Sequence, residues 1–287
     1  MIARTLFFCL ITLFHLNANV SPFNELTWNL DLPDLPPEQG EAIQSGLAKP
    51  FSGFIDGELY IAGGANFPHT PLTEGGKKIY HKAIFILSKN ITKNGEKKYS
   101  WRQEKISLPQ GAAYGETIPV PNGLLLIGGE TQSSTGQVSQ SNNVFLLSKV
   151  NGELSLKTHS QAPVSLSHSS SLIYNNKAYF IGGKQNGATS NEVHIYDITH
   201  NTWVKGLPYP GPARSNHVAV TQKGGLAGKA AFYLFSGSGE QDKYLTALID
   251  AYAYCPAIGN EPEKWIKVSS IRPDKDKNPI SLLGACA

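Results

Sequence analysis

An apolar strand ending in two small residues recurs four times along this chain. The copies are Leu59-Tyr60-Ile61-Ala62-Gly63-Gly64, Leu125-Leu126-Ile127-Gly128-Gly129, Tyr179-Phe180-Ile181-Gly182-Gly183 and Tyr233-Leu234-Phe235-Ser236-Gly237, and their last residues are 65, 54 and 54 positions apart. A short apolar strand and a turn precede each copy: Ile55-Asp56-Gly57, Pro121-Asn122-Gly123, Tyr174-Asn175-Asn176 and Gln222-Lys223-Gly224-Gly225. Asp-Gly and Asn-Gly tolerate positive φ and so favour tight hairpins. A third strand follows, such as Ala83–Leu87 or Val193–Tyr196, and then a fourth that often carries Trp and closes with Pro. Trp101 to Pro109, Trp203 to Pro208 and Trp265 to Pro273 fit this pattern, and Leu156 to Pro163 fits it without the Trp. Such a period constrains the fold strongly, because one unit cannot bury its faces alone and must stack on its neighbours.

Four antiparallel strands in roughly 50 residues describe one blade of a kelch-type β-propeller. The expected fold is therefore all-β, with four recognisable four-stranded blades and, at Ile280–Ala287, the start of a fifth. Inner strands between neighbouring sheets read as continuous apolar runs, and paired glycines let adjacent blades approach closely. Composition agrees: 28 Gly and 18 Pro mark many turns, and charged residues are 16% against the roughly 25% of an average domain. Coincidental Gly pairs in a β-sandwich are the competing architecture. Residues 19–36 read as an isolated strand that would complete the last blade, and residues 37–287 as the propeller. Closure of that kind removes exposed sheet edges. Strands for the rest of the last blade do not follow Ile280, which suggests a six-blade propeller shortened by about two blades; a four-blade ring is the alternative.

Residues 1–18 read as a signal peptide. Arg4 supplies the positive charge, Leu6 to Leu16 the apolar stretch and Ala18 a small residue for cleavage. The stretch is too short to span a bilayer. The expected location is periplasmic or secreted, with no membrane span after cleavage; a buried N-terminal strand is the alternative. Cleavage leaves Cys255 and Cys286, which can pair in an oxidising compartment although their spacing does not require it. A net charge of +3 without a Lys/Arg run argues against nucleic acid as a partner. No chelating Cys/His spacing occurs, so no metal is expected.

Gly63-Gly64-Ala65-Asn66-Phe67-Pro68, then Glu74 to Tyr80, then Ala113-Tyr114-Gly115 leading into Leu126 to Thr131, go beyond a generic repeat. Together they resemble the exported kelch propellers of sialic-acid catabolism, most closely the cyclically permuted mutarotase group related to N-acetylneuraminate epimerase. The likeness covers about residues 22–287. It implies interconversion of the α and β anomers of N-acetylneuraminate, a sialic acid, without a cofactor. Ring opening needs a base for the anomeric hydroxyl proton and an acid at the ring oxygen. The sugar carboxylate calls for a cation, ideally a bidentate arginine. In that group an essential Glu is followed six residues later by an Arg, in a blade expected beyond position 287. Glu130 has Gly136 at that spacing, so no catalytic residue is assigned from the resemblance. A non-catalytic kelch module for a glycan or protein is the second reading. A hydrolytic sialidase is disfavoured because its Ser-x-Asp-x-Gly repeat is missing from the sequence.

Four residues are candidates for substrate binding. Arg214, in a loop leading into the fourth repeat, can hold a carboxylate or form an inter-blade ion pair. Asn66 can bind sugar hydroxyls or shape a turn. Glu130 can face the channel or serve as a structural acceptor. Tyr114 offers a hydroxyl and a stacking ring, or blade packing. His168 and His217 precede inner strands and read as structural. Lys77 and Lys78 read as solvated surface, and Tyr60, Tyr179 and Tyr233 as blade core.

Overall fold

A computed structural model describes residues 32–270 except 45, 227, 242 and 243. The expected signal segment, Cys286 and the strand at Ile280–Ala287 lie outside the described residues, as does most of the expected N-terminal strand. Residues 33–36 are described and carry no strand; the Pro33 carbonyl accepts a hydrogen bond from the Trp101 indole at 2.9 Å.

Four four-stranded antiparallel sheets follow the repeats. The first comprises Phe51–Ile55, Glu58–Ala62, Ile84–Ile91 and Lys97–Gln103. The second comprises Glu116–Val120, Gly123–Ile127, Val144–Val150 and Glu153–Thr158. The third is built from Ser170–Tyr174, Lys177–Ile181, Val193–Asp197 and Thr202–Lys205. The fourth uses Val218–Leu226, Lys229–Phe235, Ala251–Cys255 and Lys264–Val268. Each sheet runs in chain order from its inner to its outer strand, and the inner strands of successive sheets lie side by side. The chain is thus a kelch-type β-propeller. Its hairpins follow the turn chemistry: Asp56 and Gly57 have φ of 50° and 79°, and Asn175 and Asn176 of 48° and 57°.

Period-two alternation decides what each seam buries. Tyr60, Ile86, Leu124 and Leu126 pack together between the first two sheets. Ile118, Leu125, Ile127 and Phe180 fill the next seam, and Tyr179, Ile181, Phe232 and Leu234 the third. Tyr60 and Tyr179 are core residues as expected. Tyr233 is not: it alternates out of the seam that takes Phe232 and Leu234, is partly buried, and stacks on Phe235 with centroids 6.0 Å apart.

The small-residue pairs have a specific task at the seams. Gly64, Gly129 and Gly183 donate their N–H groups to the carbonyls of Ala112, Leu166 and Arg214 in the following repeat, at 2.8, 2.6 and 2.8 Å. Their predecessors Gly63 and Gly128 sit at φ of 68° and 66°, and a Cβ on either would lie 2.3 Å from that same carbonyl oxygen. Only glycine satisfies both the handedness and the approach.

Beyond each pair the chain leaves the sheet and builds a small rim. Ala65–Asn66 pairs with Ile79–Tyr80, Glu130–Gln132 with Gly111–Ala113 and Val138–Gln140, and Lys184–Gln185 with Leu166–Ser167 and Ala188–Thr189. Among the described residues no helix is long and apolar enough to cross a membrane.

Candidate functional site

One residue just before each inner strand adopts a left-handed backbone conformation. These are Lys49, Tyr114, His168 and Asn216, at φ of 46°, 64°, 53° and 54°. Their backbones join in series: the N–H of Tyr114 donates to the carbonyl of Lys49 at 3.0 Å, His168 to Tyr114 at 2.9 Å and Asn216 to His168 at 3.0 Å. Four repeats thus contribute to one collar. A left-handed conformation costs a non-glycine residue roughly 1–2 kcal/mol, so each position holds its side chain at some expense. Strain of this kind clusters at functional sites.

The rim strands bring further groups to the collar. Glu130 opens its rim strand opposite Ala113, two residues after Gly128, and Tyr80 is carried there by pairing with Ala65. The Tyr80 hydroxyl donates to Glu130 Oε2 at 2.5 Å, and His168 Nε2 lies 3.1 Å from Glu130 Oε1. On the other side of its ring, His168 Nδ1 is 3.0 Å from Asn216 Oδ1. The Tyr114 ring stacks on His168 with centroids 4.4 Å apart and planes 19° apart, and meets Tyr80 edge-on at 6.2 Å. Lys78 Nζ lies 4.8 Å from the centre of the Tyr114 ring, within cation–π range.

This arrangement sets the charges. The His168 hydrogen bond, opposed by burial and aided by Tyr80, holds the Glu130 carboxyl down to about 2. Burial, with the neighbouring Glu130, pushes the Tyr80 hydroxyl well above the usual phenol range. Glu130 is therefore an anion and Tyr80 a proton-bearing donor near neutrality. The Lys184 charge also acts on Glu130. Neither Lys78 nor Lys184 forms an ion pair among the described residues. The mouth thus carries positive charge that no carboxylate among the described residues neutralises by direct contact.

Of the four residues singled out from sequence, the structure brings Glu130 and Tyr114 together and leaves Asn66 and Arg214 elsewhere. Asn66 donates to the Gly46 carbonyl at 3.0 Å and faces His81 Nε2 at 2.9 Å, while Glu38 lies 3.1 Å from the other nitrogen of that imidazole. It lines a separate cavity of about 160 Å³. Arg214 is fully buried: it pairs with Asp250 at 2.8 Å, donates to the Ser236 carbonyl at 2.8 Å, and lies 5.4 Å from the ring centres of Tyr209 and Tyr252. Its position matches those of Ala112 and Leu166 two residues before the collar, both buried, so its side chain points into protein and presents no face to a ligand.

His168, Tyr80, Lys78 and Asn216 were not expected here. His168 and Asn216 occupy the same place in their repeats as Tyr114, and superposing the repeats on their inner strands finds them. Lys77 is exposed as expected, whereas Lys78 turns over the aromatic rings. His217 is structural: it is buried, and burial, with the nearby Arg214 charge, lowers it to about 3.

Residues 17–156 match the family model of N-acetylneuraminate epimerase. The N-acetylneuraminate epimerase of Vibrio vulnificus (strain YJ016) is 34% identical over 123 residues, which are 42% of this chain and 30% of that protein. The corresponding protein of Salmonella enteritidis PT4 is 36% identical over 118 residues, 37% of this chain and 27% of the relative. The chain therefore aligns with less than a third of the length of these relatives. The solved structure of YjhT superposes with a TM-score of 0.55 at 15% identity, covering 82% of this chain and 67% of that one, a likeness in fold. Tyr80, Tyr114 and Glu130 fall within the matched residues, and His168 and Asn216 beyond them. Residues 17–156 of this kelch-type propeller are thus similar in sequence to the N-acetylneuraminate epimerases.

Proposed function

We propose that the collar mouth binds a sialic acid and interconverts its anomers. The observation that carries this reading is the Glu130 carboxylate held between a hydroxyl and an imidazole, Tyr80 and His168, contributed by different repeats. Anomer exchange opens and recloses the sugar ring, so it needs a proton taken from the anomeric hydroxyl and one given to the ring oxygen. Glu130 is the acceptor. Its basicity is suppressed mainly by hydrogen bonding, and a substrate hydroxyl that displaces one of those bonds restores it. Tyr80, kept protonated by burial and by Glu130, is the donor, and the two exchange roles on closure. Tyr114 offers a ring face to the sugar, and Lys78 and Lys184 supply positive charge for its carboxylate. The sequence similarity to N-acetylneuraminate epimerases supports the choice of substrate class.

The test is proton NMR of freshly released α-N-acetylneuraminate with and without the chain. Faster approach to anomeric equilibrium, slowed about 100-fold by Glu130→Gln, is expected. A folded sample that binds the sugar without accelerating the exchange rejects the chemistry and leaves the glycan-binding module. The rotated blade order and export through residues 1–18 belong to the same reading. N-terminal sequencing of the protein recovered outside the cytoplasm checks export, with a start at residue 19 expected.

A further inference from the structure

Contacts link Asn216, His168, Glu130 and Tyr80 in series around the mouth, one residue from each repeat. Lys49 is a collar position that this series leaves out. It precedes the inner strand of the first repeat as Tyr114, His168 and Asn216 precede those of the others, and its carbonyl accepts the Tyr114 N–H at 3.0 Å.

The backbone at Lys49 carries a cost that the other three collar residues do not. Its φ of 46° is unfavourable for any residue with a side chain, and the next residue is Pro50, which pushes its predecessor toward extended backbone. Gly115, Ser169 and His217 follow the other three. Glycine at position 49 would keep the carbonyl contact without the strain, so a lysine that served only to solvate the surface would gain nothing here. The ammonium is also unspent: Lys49 is exposed and forms no ion pair among the described residues. Its charge nevertheless acts on two buried groups of other repeats, Glu116 of the second and His217 of the fourth, each close behind a collar residue. A cation that bears on both lies toward the axis and not over the outer surface.

The other two lysines of the mouth are placed differently. Lys78 lies over the rings of Tyr80 and Tyr114, at 5.8 and 4.8 Å, and Lys184 belongs to a rim strand, opposite Ser167 and Thr189. Of the three, Lys49 alone belongs to the collar. The anomeric carbon of a sialic acid carries both its carboxylate and its anomeric hydroxyl, so one residue must hold the first while Glu130 serves the second. Tyr114 joins the two residues: its N–H bonds the Lys49 carbonyl, and its ring stacks on His168, the partner of Glu130. The cation and the acceptor thus adjoin the same collar residue, as a ligand with both groups on one carbon requires.

We propose that Lys49 is the specificity-determining residue of the mouth, its ammonium holding the carboxylate of the sialic acid while Lys78 and Lys184 set the surrounding field. The assignment rests on the proposed function for its ligand and not for its chemistry: the sugar has to bind, whether or not its anomers are exchanged.

The experiment compares binding of N-acetylneuraminate with that of its methyl ester, the same sugar without the charge, by isothermal titration calorimetry of the full chain. Wild type is expected to prefer the acid about tenfold. Lys49→Gly should lose about tenfold in affinity for the acid, leave the ester unchanged and, with the left-handed strain relieved, melt no lower than wild type. Lys49→Asn, neutral and tolerant of the same backbone, should bind as Lys49→Gly does, and Lys49→Arg should keep the preference for the acid. Neutral variants that bind the acid as tightly as wild type, or that lose acid and ester equally, overturn the proposal. Binding of both compounds without faster anomer exchange, and with the preference gone in Lys49→Gly, overturns the proposed chemistry alone. Exchange that persists in Lys49→Gly with an unaltered KM overturns this assignment alone. A chain that binds neither compound rejects the substrate class, and this assignment with it.

Discussion

Two charged clusters in this molecule use neighbouring positions of the same repeat to opposite ends. Around Arg214 the partners are complete: the guanidinium has no exposure and pairs with Asp250, which itself keeps 18%, and Tyr252 donates to the second Asp250 oxygen at 2.8 Å. At the collar, two positions along the repeat, Glu130 and His168 keep 15% and 13% exposure, and Lys78 and Lys184 stand nearby with no ion pair among the described residues. The first cluster satisfies its charges internally and so holds strands together. The second leaves capacity unused at a surface water can reach, which is what recognition of an outside anion requires. A charge is thus assigned to structure or to chemistry by whether its partners are complete, not by its type.

The strongest challenge to this contrast is Arg214→Ala. Removing one partner of a buried pair typically costs about 3–5 kcal/mol, and denaturant unfolding should register a loss of that size. If stability is unchanged while sugar binding disappears, the two clusters have been assigned the wrong way round. Glu130→Gln should do the reverse, with a rate loss of about 100-fold, or about 2.7 kcal/mol of barrier, and a stability change of less than about 1 kcal/mol by calorimetry.

Glu116 sharpens the comparison because it lies between the two extremes. It sits beside the collar, accepts hydrogen bonds from Ser169 at 3.2 Å and Ser171 at 2.5 Å, and burial raises its carboxyl to about 7. The folded protein binds this proton more tightly than the unfolded chain does. Its stabilising contribution is therefore complete below the unfolded value of about 4.3 and is lost as pH rises through about 7. Glu116→Gln should flatten the stability profile between those limits and add about 3 kcal/mol above neutral pH; an unaltered profile in thermal melts at pH 5 and 8 sinks the assignment. The smallest effect is expected for Lys78→Met. It should weaken binding of the acidic sugar several-fold, with a correspondingly weaker dependence on salt, and leave the melting temperature in place.

Much of the fold was legible because glycine pairs, hairpin dipeptides and apolar strands recurred together. Each of those signals is local, and each has one physical cause. The site was legible in part. Glu130 follows a glycine pair, and Tyr114 precedes an inner strand, positions that a propeller turns toward its axis. Tyr80 was hidden, because it reaches the mouth only through its pairing with Ala65 across a long loop. His168 looked like an ordinary structural histidine until its two ring nitrogens acquired partners from different repeats. Arg214 misled for a related reason: the residue type suits a carboxylate, but its position is the one filled by Ala112 and Leu166, where side chains turn into protein.

The sequence by itself determined the repeat, the strand order within each sheet and the seams, since these depend on turn chemistry and on period-two burial within some 50 residues. Tertiary structure alone decided which polar groups meet. The members of the Asn216–His168–Glu130–Tyr80 series are 48, 38 and 50 residues apart, and no local preference encodes contacts over such separations. Their meeting depends on how far each sheet is turned from the last, which is set by glycine close approach and by the collar's chain of backbone hydrogen bonds.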